Sequence, residues 1–307
     1  KIIDDYNFSL TLEEPYGAFL ACLTTPGASI FDEETTEQAG DQFGIDPAVT
    51  IGTGPFTFAA WEFNSELVLS ANKDYWDGAP ACEGLVLKVI PDEATARMMF
   101  ENGELDILDM DNNASQLEYF LNNDAYQDQI VSGPRVGIYY VCLNEKFTEL
   151  SDARVRKALQ YSIDRQAILD SLYAGEGQLE NGIFPHGLIG YNADLPEIPY
   201  DVEQAKALLA EAGYPDGFEM ELCYSSDAGQ TTKDMLEIIS AYWAEIGVTA
   251  KVTEVDEGSF YDMRAAGEIE AYTSNWSADF NDPDNFVYSF FGNESNIERR
   301  GFGYSNT

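Results

Sequence analysis

From Phe218 to Trp276 the sequence repeats one rhythm: the strand-like runs FEMELCY, VTAKVTEV and IEAYTSNW alternate with the helix-like runs TTKDMLEIISAYWAEIG and SFYDMRAAGE. Short runs rich in β-branched and aromatic residues, separated by amphipathic helical stretches, bury their apolar sides as a sheet with helices packed on it. This alternation places the chain in the α/β class. It also singles out the end of the last strand, because ligands of open α/β sheets bind beyond the carboxyl ends of the strands.

The same alternation extends upstream. TGPFTFAAWEFNSELVLSANKDYW reads as two strands, residues 56–62 and 66–71, around a tight turn at Asn64-Ser65, and GLVLKVI as a third. DEATARMMFENGE has an acidic first turn, a helical repeat at Ala94, Met98 and Met99, and a stop at Gly103. LDILDM then reads as a short buried strand, residues 115–122 as a helix and GIYYVCLN as an apolar strand. A helix pair follows, with Asp152 as an N-cap and its end at Gly175. The Pro- and Gly-rich connection 183–200 carries no period, and the next helix runs from a cap at Asp201 to a stop at Gly213. At the start of the chain, Tyr6, Phe8, Leu10 and Leu12 alternate as in a half-buried strand; a short helical stretch, residues 19–23, and a loop rich in Thr, Gly and acidic residues come next.

With 307 residues and 45% hydrophobic content the chain can bury a sizeable core, and its length suggests about two domains. Its 55 acidic against 16 basic residues give a net charge of −39, spread along the whole chain. Such a field disfavours nucleic acid and anionic membranes, whereas a cationic or zwitterionic small partner is easier to accommodate. No apolar run is long enough to span a membrane, and Lys1 to Asp5 reads as mid-domain sequence with no signal segment. Cys22, Cys82, Cys142 and Cys223 are far apart and form no C-x-x-C pair. Cys22, Cys142 and Cys223 read as buried free thiols, with a disulfide as the alternative.

After the last strand comes NWSADFNDPDNF, which sets Asp279, Asp282 and Asp284 among Asn, Trp, Phe and Pro. A calcium loop is a poor match, because Pro283 stands at a ligand position and neither the Gly nor the closing Glu is in place. His186 is the only histidine, so zinc, nickel and Cys/His chemistry have little to work with. Paired carboxylates suit glycoside hydrolysis, yet among 55 acids no feature selects a pair. A ligand clamp fits better: Asp279 accepts an ammonium group in a charge-assisted hydrogen bond, with Trp276 as a flat wall beside it. The plainer alternative, Trp276 packed in the core and Asp279 capping the next helix, stands about even with it.

Five segments, in order, resemble one family, the extracytoplasmic solute-binding proteins of ABC importers, family 5, of dipeptide and oligopeptide type. TGPFTFAAWEFNSELVLSANKDYWDGAPACEGLVLKVIPDEATARMMFENGELDI is similar to its hallmark region; DARVRKALQYSIDRQAIL, YDVEQAKALLAEAGYPDGFEMEL, WAEIGVTAKV and NWSADFNDPDNF resemble its later signatures. The resemblance implies a two-lobed, periplasmic-binding-protein-like fold of type II, with mixed sheets flanked by helices. Residues 1–144 would belong to the larger lobe and 145–307 to most of the second, with a hinge near residues 141–145. Family members carry further sequence before Lys1 and after YSNT, so the resemblance also implies a partial chain. The implied role is capture of di- or oligopeptides outside the cytoplasm, in the periplasm or lipid-anchored to the outer face of the cell membrane, for delivery to an ABC permease and its ATPase subunits. A monomer with no catalysis and no cofactor is expected. Relatives carrying sugars, glutathione or nickel chelates supply the alternative cargoes, and a carboxylate-based hydrolase is the remaining reading.

The resemblance further implies that Asp279 holds a peptide's α-ammonium group and that Trp276 lies beside it. The backbone of Ser277 and Ala278 would pair with the ligand main chain as an added strand does, and Tyr140, on the hinge strand, would line the pocket. Two features depart from the pattern. YSSDAGQTTKD contains no Arg for a ligand carboxylate, and Thr273 stands where some members have another Arg. Arg264 or Lys233 is the candidate substitute.

Overall fold

The computed structural model describes residues 1–111, 114–133 and 135–304. They form two compact units, Lys1–Thr25 with Met110–Thr307, and Pro26–Asp109. The first unit opens with a short hairpin, β1 (Ile2–Asp4) and β2 (Asn7–Phe8), followed by α1 (Phe19–Cys22). The half-buried strand expected from the alternation at Tyr6 to Leu12 does not form. Tyr6 is 94% exposed, because a two-residue strand paired only with its own hairpin has no second layer to bury against.

The second unit contains α2 (Glu33–Ala39), the antiparallel sheet β3 (Phe56–Glu62), β4 (Glu66–Ala71) and β5 (Gly84–Lys88), and α3 (Glu93–Glu101). The turn between β3 and β4 pairs Glu62 with Glu66, and Asn64 takes the left-handed conformation there, φ 60°. The sequence reading missed α2, which starts within the acidic loop on an Asp32 cap that accepts from Thr35 N at 2.8 Å. The expected strand LDILDM is absent: the segment is irregular and Ile107 is 83% exposed. Six residues of apolar character specify a strand only where a neighbour accepts their ladder.

The first unit resumes with α4 (Leu117–Leu121), β6 (Gly137–Leu143), α5 (Thr148–Ser151), α6 (Ala153–Tyr161), α7 (Arg165–Tyr173) and α8 (Val202–Glu211). It continues with β7 (Glu219–Ser225), α9 (Gly229–Glu245), β8 (Thr249–Val255), α10 (Glu257–Ala266), β9 (Ala271–Ser277), α11 (Asp284–Phe291) and α12 (Glu294–Arg300). The sheet order is β6-β9-β7-β8, with β7, β8 and β9 parallel and β6 antiparallel to β9. Both faces are covered, as a largely parallel sheet requires. Leu222, Tyr224 and Ala271 pack with Leu236, Ile239 and Trp243 of α9 and with Val155 and Leu159 of α6. The alternate residues Cys223 and Tyr272 pack with Cys142, Phe260 and Ile269. Trp243 Nε1 donates to the Leu159 carbonyl at 3.0 Å, satisfying the one polar atom that this buried indole brings into the core. At the start of β7 the chain passes so close to Gly247 that a Cβ on Gly217 (φ +76°) would lie 1.9 Å from the Gly247 oxygen, so only glycine fits.

Candidate ligand-binding site

β9 ends at Ser277, and the loop 278–283 carries the chain into α11. Ala278 N donates to Val136 O at 2.8 Å, extending the ladder in which Ser277 faces Gly137 and Trp276 faces Ile138. Antiparallel pairs alternate between bonded and non-bonded, so the main-chain groups of Ser277 and Asn275 point away from β6. On that side, among the described residues, β9 pairs only through Ala271 and Tyr272, with β7. The last part of β9 therefore presents an open strand edge. Of the two residues expected to pair with a ligand backbone, Ser277 has its N–H on this edge, whereas Ala278 has spent its N–H on Val136.

The three carboxylates of the loop and of the first residue of α11 do different work. Asp282 accepts from Asp284 N at 2.9 Å and so serves the start of α11. Asp284 accepts from the Tyr16 hydroxyl, which ties the N-terminal segment to the loop and raises the Tyr16 phenol above its ordinary range, mainly through that bond. Asp279 does not cap the helix. It is the exposed member of the three, and its Oδ2 accepts from Asn285 Nδ2 at 3.1 Å.

Asn285 is 4% exposed, and its side-chain oxygen also accepts from Asp279 N and from Trp276 Nε1, each at 3.1 Å. The half-buried Trp276 ring stands edge-on to Phe290 at 5.7 Å, with the Arg300 guanidinium 4.3 Å from the centroid of each ring. Neither Asn285 nor Arg300 was singled out from the sequence. The signal for Asn285 was its place in the first turn of a helix opened by Pro283 and Asp284, where a short polar side chain can reach back to the preceding loop; nothing local marked Arg300.

Tyr140, on β6, faces Ser274 of β9 and meets Phe290 at 5.6 Å. Its hydroxyl is buried without a well-formed hydrogen bond, beside the Ser274 hydroxyl and the Arg300 guanidinium, and burial pushes its ionisation upward. Arg264, on α10, spreads over the ring of Tyr261 at 4.8 Å and those of Phe260 and Tyr272 at 5.9 Å. Its Nε is buried without a partner, and its charge lies within Coulombic range of Tyr140. Arg264 is thus held by aromatic faces behind the sheet. Thr273 is buried, with its hydroxyl donating to Tyr140 O at 3.3 Å.

The Pro- and Gly-rich connection is joined to the same loop. Asn281 accepts from Ile189 N and donates to Gly187 O, both at 3.0 Å. An exposed carboxylate held on one oxygen, an indole fixed beside it and an unpaired strand edge together form a surface suited to holding an amine-bearing, extended ligand.

Over residues 1–297 the sequence matches the bacterial extracellular solute-binding proteins, family 5 (middle region). It is 31% identical over 301 residues to heme-binding protein A of Haemophilus influenzae, which covers 96% of this chain and 54% of that protein. It is 30% identical over 299 residues to the dipeptide-binding protein of Escherichia coli, covering 95% and 55%. Among solved structures, the ABC transporter-associated periplasmic binding protein DppA from Helicobacter pylori, in complex with the peptide STSA, superposes with a TM-score of 0.80 at 28% identity, over 94% of this chain and 56% of that one. The chain spans about half the length of the curated relatives it matches.

Proposed function

The chain belongs to the bacterial extracellular solute-binding proteins of family 5, its fold being part of a type II periplasmic-binding-protein-like fold, and from that premise we propose that it captures di- or oligopeptides for an ABC importer. The observation that carries this reading is the grouping of Asp279, Trp276 and the open edge of β9, each shaped for a different part of a peptide. Asp279 takes the α-ammonium group, Trp276 flanks the first residue, and the Ser277 main chain continues the ladder onto the ligand. Tyr140 lies behind the wall. Arg264 enters as a positive charge packed on aromatic rings and not as a direct ligand contact.

In this reading the solute is bound and released unchanged. The longer protein closes two lobes on it, hinged near residues 141–145, with residues 1–144 contributing to one lobe and 145–307 to the other. It works outside the cytoplasm as a monomer and hands its cargo to a permease driven by ATPase subunits. Thr273 and the Arg-free YSSDAGQTTKD segment leave the carboxyl end of the ligand without an obvious cation, so the amino end is the one that is read. Relatives of similar identity include a dipeptide-binding protein and a heme-binding protein, and sugars, glutathione and metal chelates are the competing solutes.

The test is calorimetric titration of the full-length protein with a mixed di- to pentapeptide library, free and N-acetylated. Loss of a charge-assisted hydrogen bond predicts that Asp279→Ala or N-acetylation weakens binding by roughly 10- to 100-fold. Equal affinity for free and acetylated peptides, or an Asp279→Ala variant that binds as well as the wild type, would overturn the peptide assignment.

A further inference from the structure

Three hydrogen bonds of one buried carboxamide connect the two side chains on which the proposed peptide site depends. Asn285 donates to Asp279 Oδ2 and accepts from Asp279 N and Trp276 Nε1, all at 3.1 Å, and the indole N–H is shared with the Asn285 main-chain carbonyl, also at 3.1 Å. These partners fix the amide's orientation: two N–H donors demand the oxygen and a carboxylate demands the nitrogen, so the reversed amide would break all three bonds. The residue is 4% exposed, so water does not readily replace the bonds.

We propose that Asn285 is the positioning residue of the ammonium clamp, an inference that rests on the peptide-binding reading. By holding Asp279 Oδ2 it selects one carboxylate rotamer and leaves Oδ1, which accepts no hydrogen bond among the described residues, as the oxygen offered to the ligand. By holding the Trp276 indole through its side-chain and main-chain oxygens, and the Asp279 main chain through the same side-chain oxygen, it sets the distance between charge and wall. A carboxylate free to rotate would lose part of its attraction for an ammonium group to ordering entropy on binding; one already oriented does not. The site therefore favours ligands that place a primary ammonium group against a flat apolar face, and that preference depends on Asn285 even though Asn285 is directed at the clamp residues and not at solvent.

The experiment compares full-length wild type, Asn285→Ala and Asn285→Asp. In Asn285→Asp the acceptor oxygen remains for Trp276 and the Asp279 main chain, but the donor to the Asp279 carboxylate is lost and a like charge replaces it. Affinity for the free-amine peptide library should fall at least about tenfold in both variants, while affinity for the N-acetylated library stays within about twofold of wild type. A purely structural role would weaken both libraries alike, and that result would overturn the inference. A second readout needs no ligand. The indole N–H resonance of Trp276, assigned with Trp276→Phe, should shift in Asn285→Ala, where the side-chain acceptor is lost and only the residue 285 main-chain carbonyl still accepts it, and should stay protected from exchange in Asn285→Asp, which keeps a side-chain acceptor there. An unchanged resonance in Asn285→Ala would overturn the positioning role by itself. If wild type does not discriminate free from acetylated peptides but the indole resonance responds as stated, the peptide reading fails and the positioning of Trp276 by Asn285 stands.

Discussion

Arg300 keeps a positive charge where the described residues offer it no carboxylate within ion-pair distance, in a chain that carries 55 acidic side chains. It is 5% exposed. An isolated buried cation costs several kcal/mol unless something replaces its water, and here the replacement is aromatic: the guanidinium lies 4.3 Å from the centroids of both Trp276 and Phe290. The negative faces of the rings attract it, its Nε reaches Ser289 O at 3.4 Å, and burial draws its pKa down from the ordinary arginine value. Planarity makes this possible, since a flat ion can lie against rings where a compact ammonium cannot. Arg300→Lys keeps the charge and loses the flat contact, so it should lower stability by about 1–2 kcal/mol in urea unfolding. It should also change the fluorescence of Trp276, identified by subtraction with Trp276→Phe. Unchanged stability and emission would show that the rings do not hold the charge.

Among the elements, helix starts are the most local devices in the chain. At α6 the Asp152 carboxylate accepts from Arg154 N at 2.8 Å, and the Arg154 side chain folds back to it at 2.6 Å while reaching the Glu211 carbonyl at 2.7 Å. The bond from the Arg154 side chain, then that from its backbone N–H, hold the Asp152 carboxyl down from 3.8 to about 2. Because the folded-state value is the lower one, the stabilisation is complete above the ordinary carboxylate range and is lost as pH falls from about 4 through about 2. An NMR titration of the carboxyl should give a midpoint near 2 in wild type, and Arg154→Gln should return it toward the ordinary aspartate range; a midpoint unaffected by that change would assign the shift to the backbone cap alone.

Devices of this kind are what made much of the fold readable in the sequence. Asp152 and Asp201 cap helices where they were expected, Asp92, read from the sequence as part of an acidic first turn, is the cap of α3, and Gly213 stops α8 at φ +97°. The failures share a cause. Tyr6 to Leu12 and LDILDM have strand-like composition, but a strand exists only when another element accepts it, and that partner is not encoded in six neighbouring residues. The candidate site divides in the same way. Asp279 and Trp276 stand out by residue type and by their place at a strand end, whereas Asn285 and Arg300 gain their roles only when α11 and α12 fold back against β9.

At the scale of the molecule, a net charge of −39 acts on the folded chain and on its ligands in opposite senses. Like charges brought together on folding repel, so the compact state is destabilised by its own field, while the same field draws cations toward the surface. Salt separates the two effects without altering any contact, because raising ionic strength from about 0.01 M to about 1 M shortens the screening length from about 30 Å to about 3 Å. If self-repulsion is the larger influence on the fold, sodium chloride should raise the melting temperature of the full-length protein, most steeply at the low end of that range where screening changes fastest. On the proposed peptide binding, the association rate of Lys-containing peptides should fall over the same titration and that of Glu-containing peptides should rise, the two converging at high salt as steering disappears. Dissociation rates should change much less, since a clamp contact at hydrogen-bonding distance is screened less than a long-range field. A melting temperature that does not respond would mean that the acidic side chains are spaced widely enough to ignore one another. Association rates indifferent to peptide charge would mean that the excess acid serves the exterior alone and that selection of the ligand rests entirely on Asp279 and its neighbours.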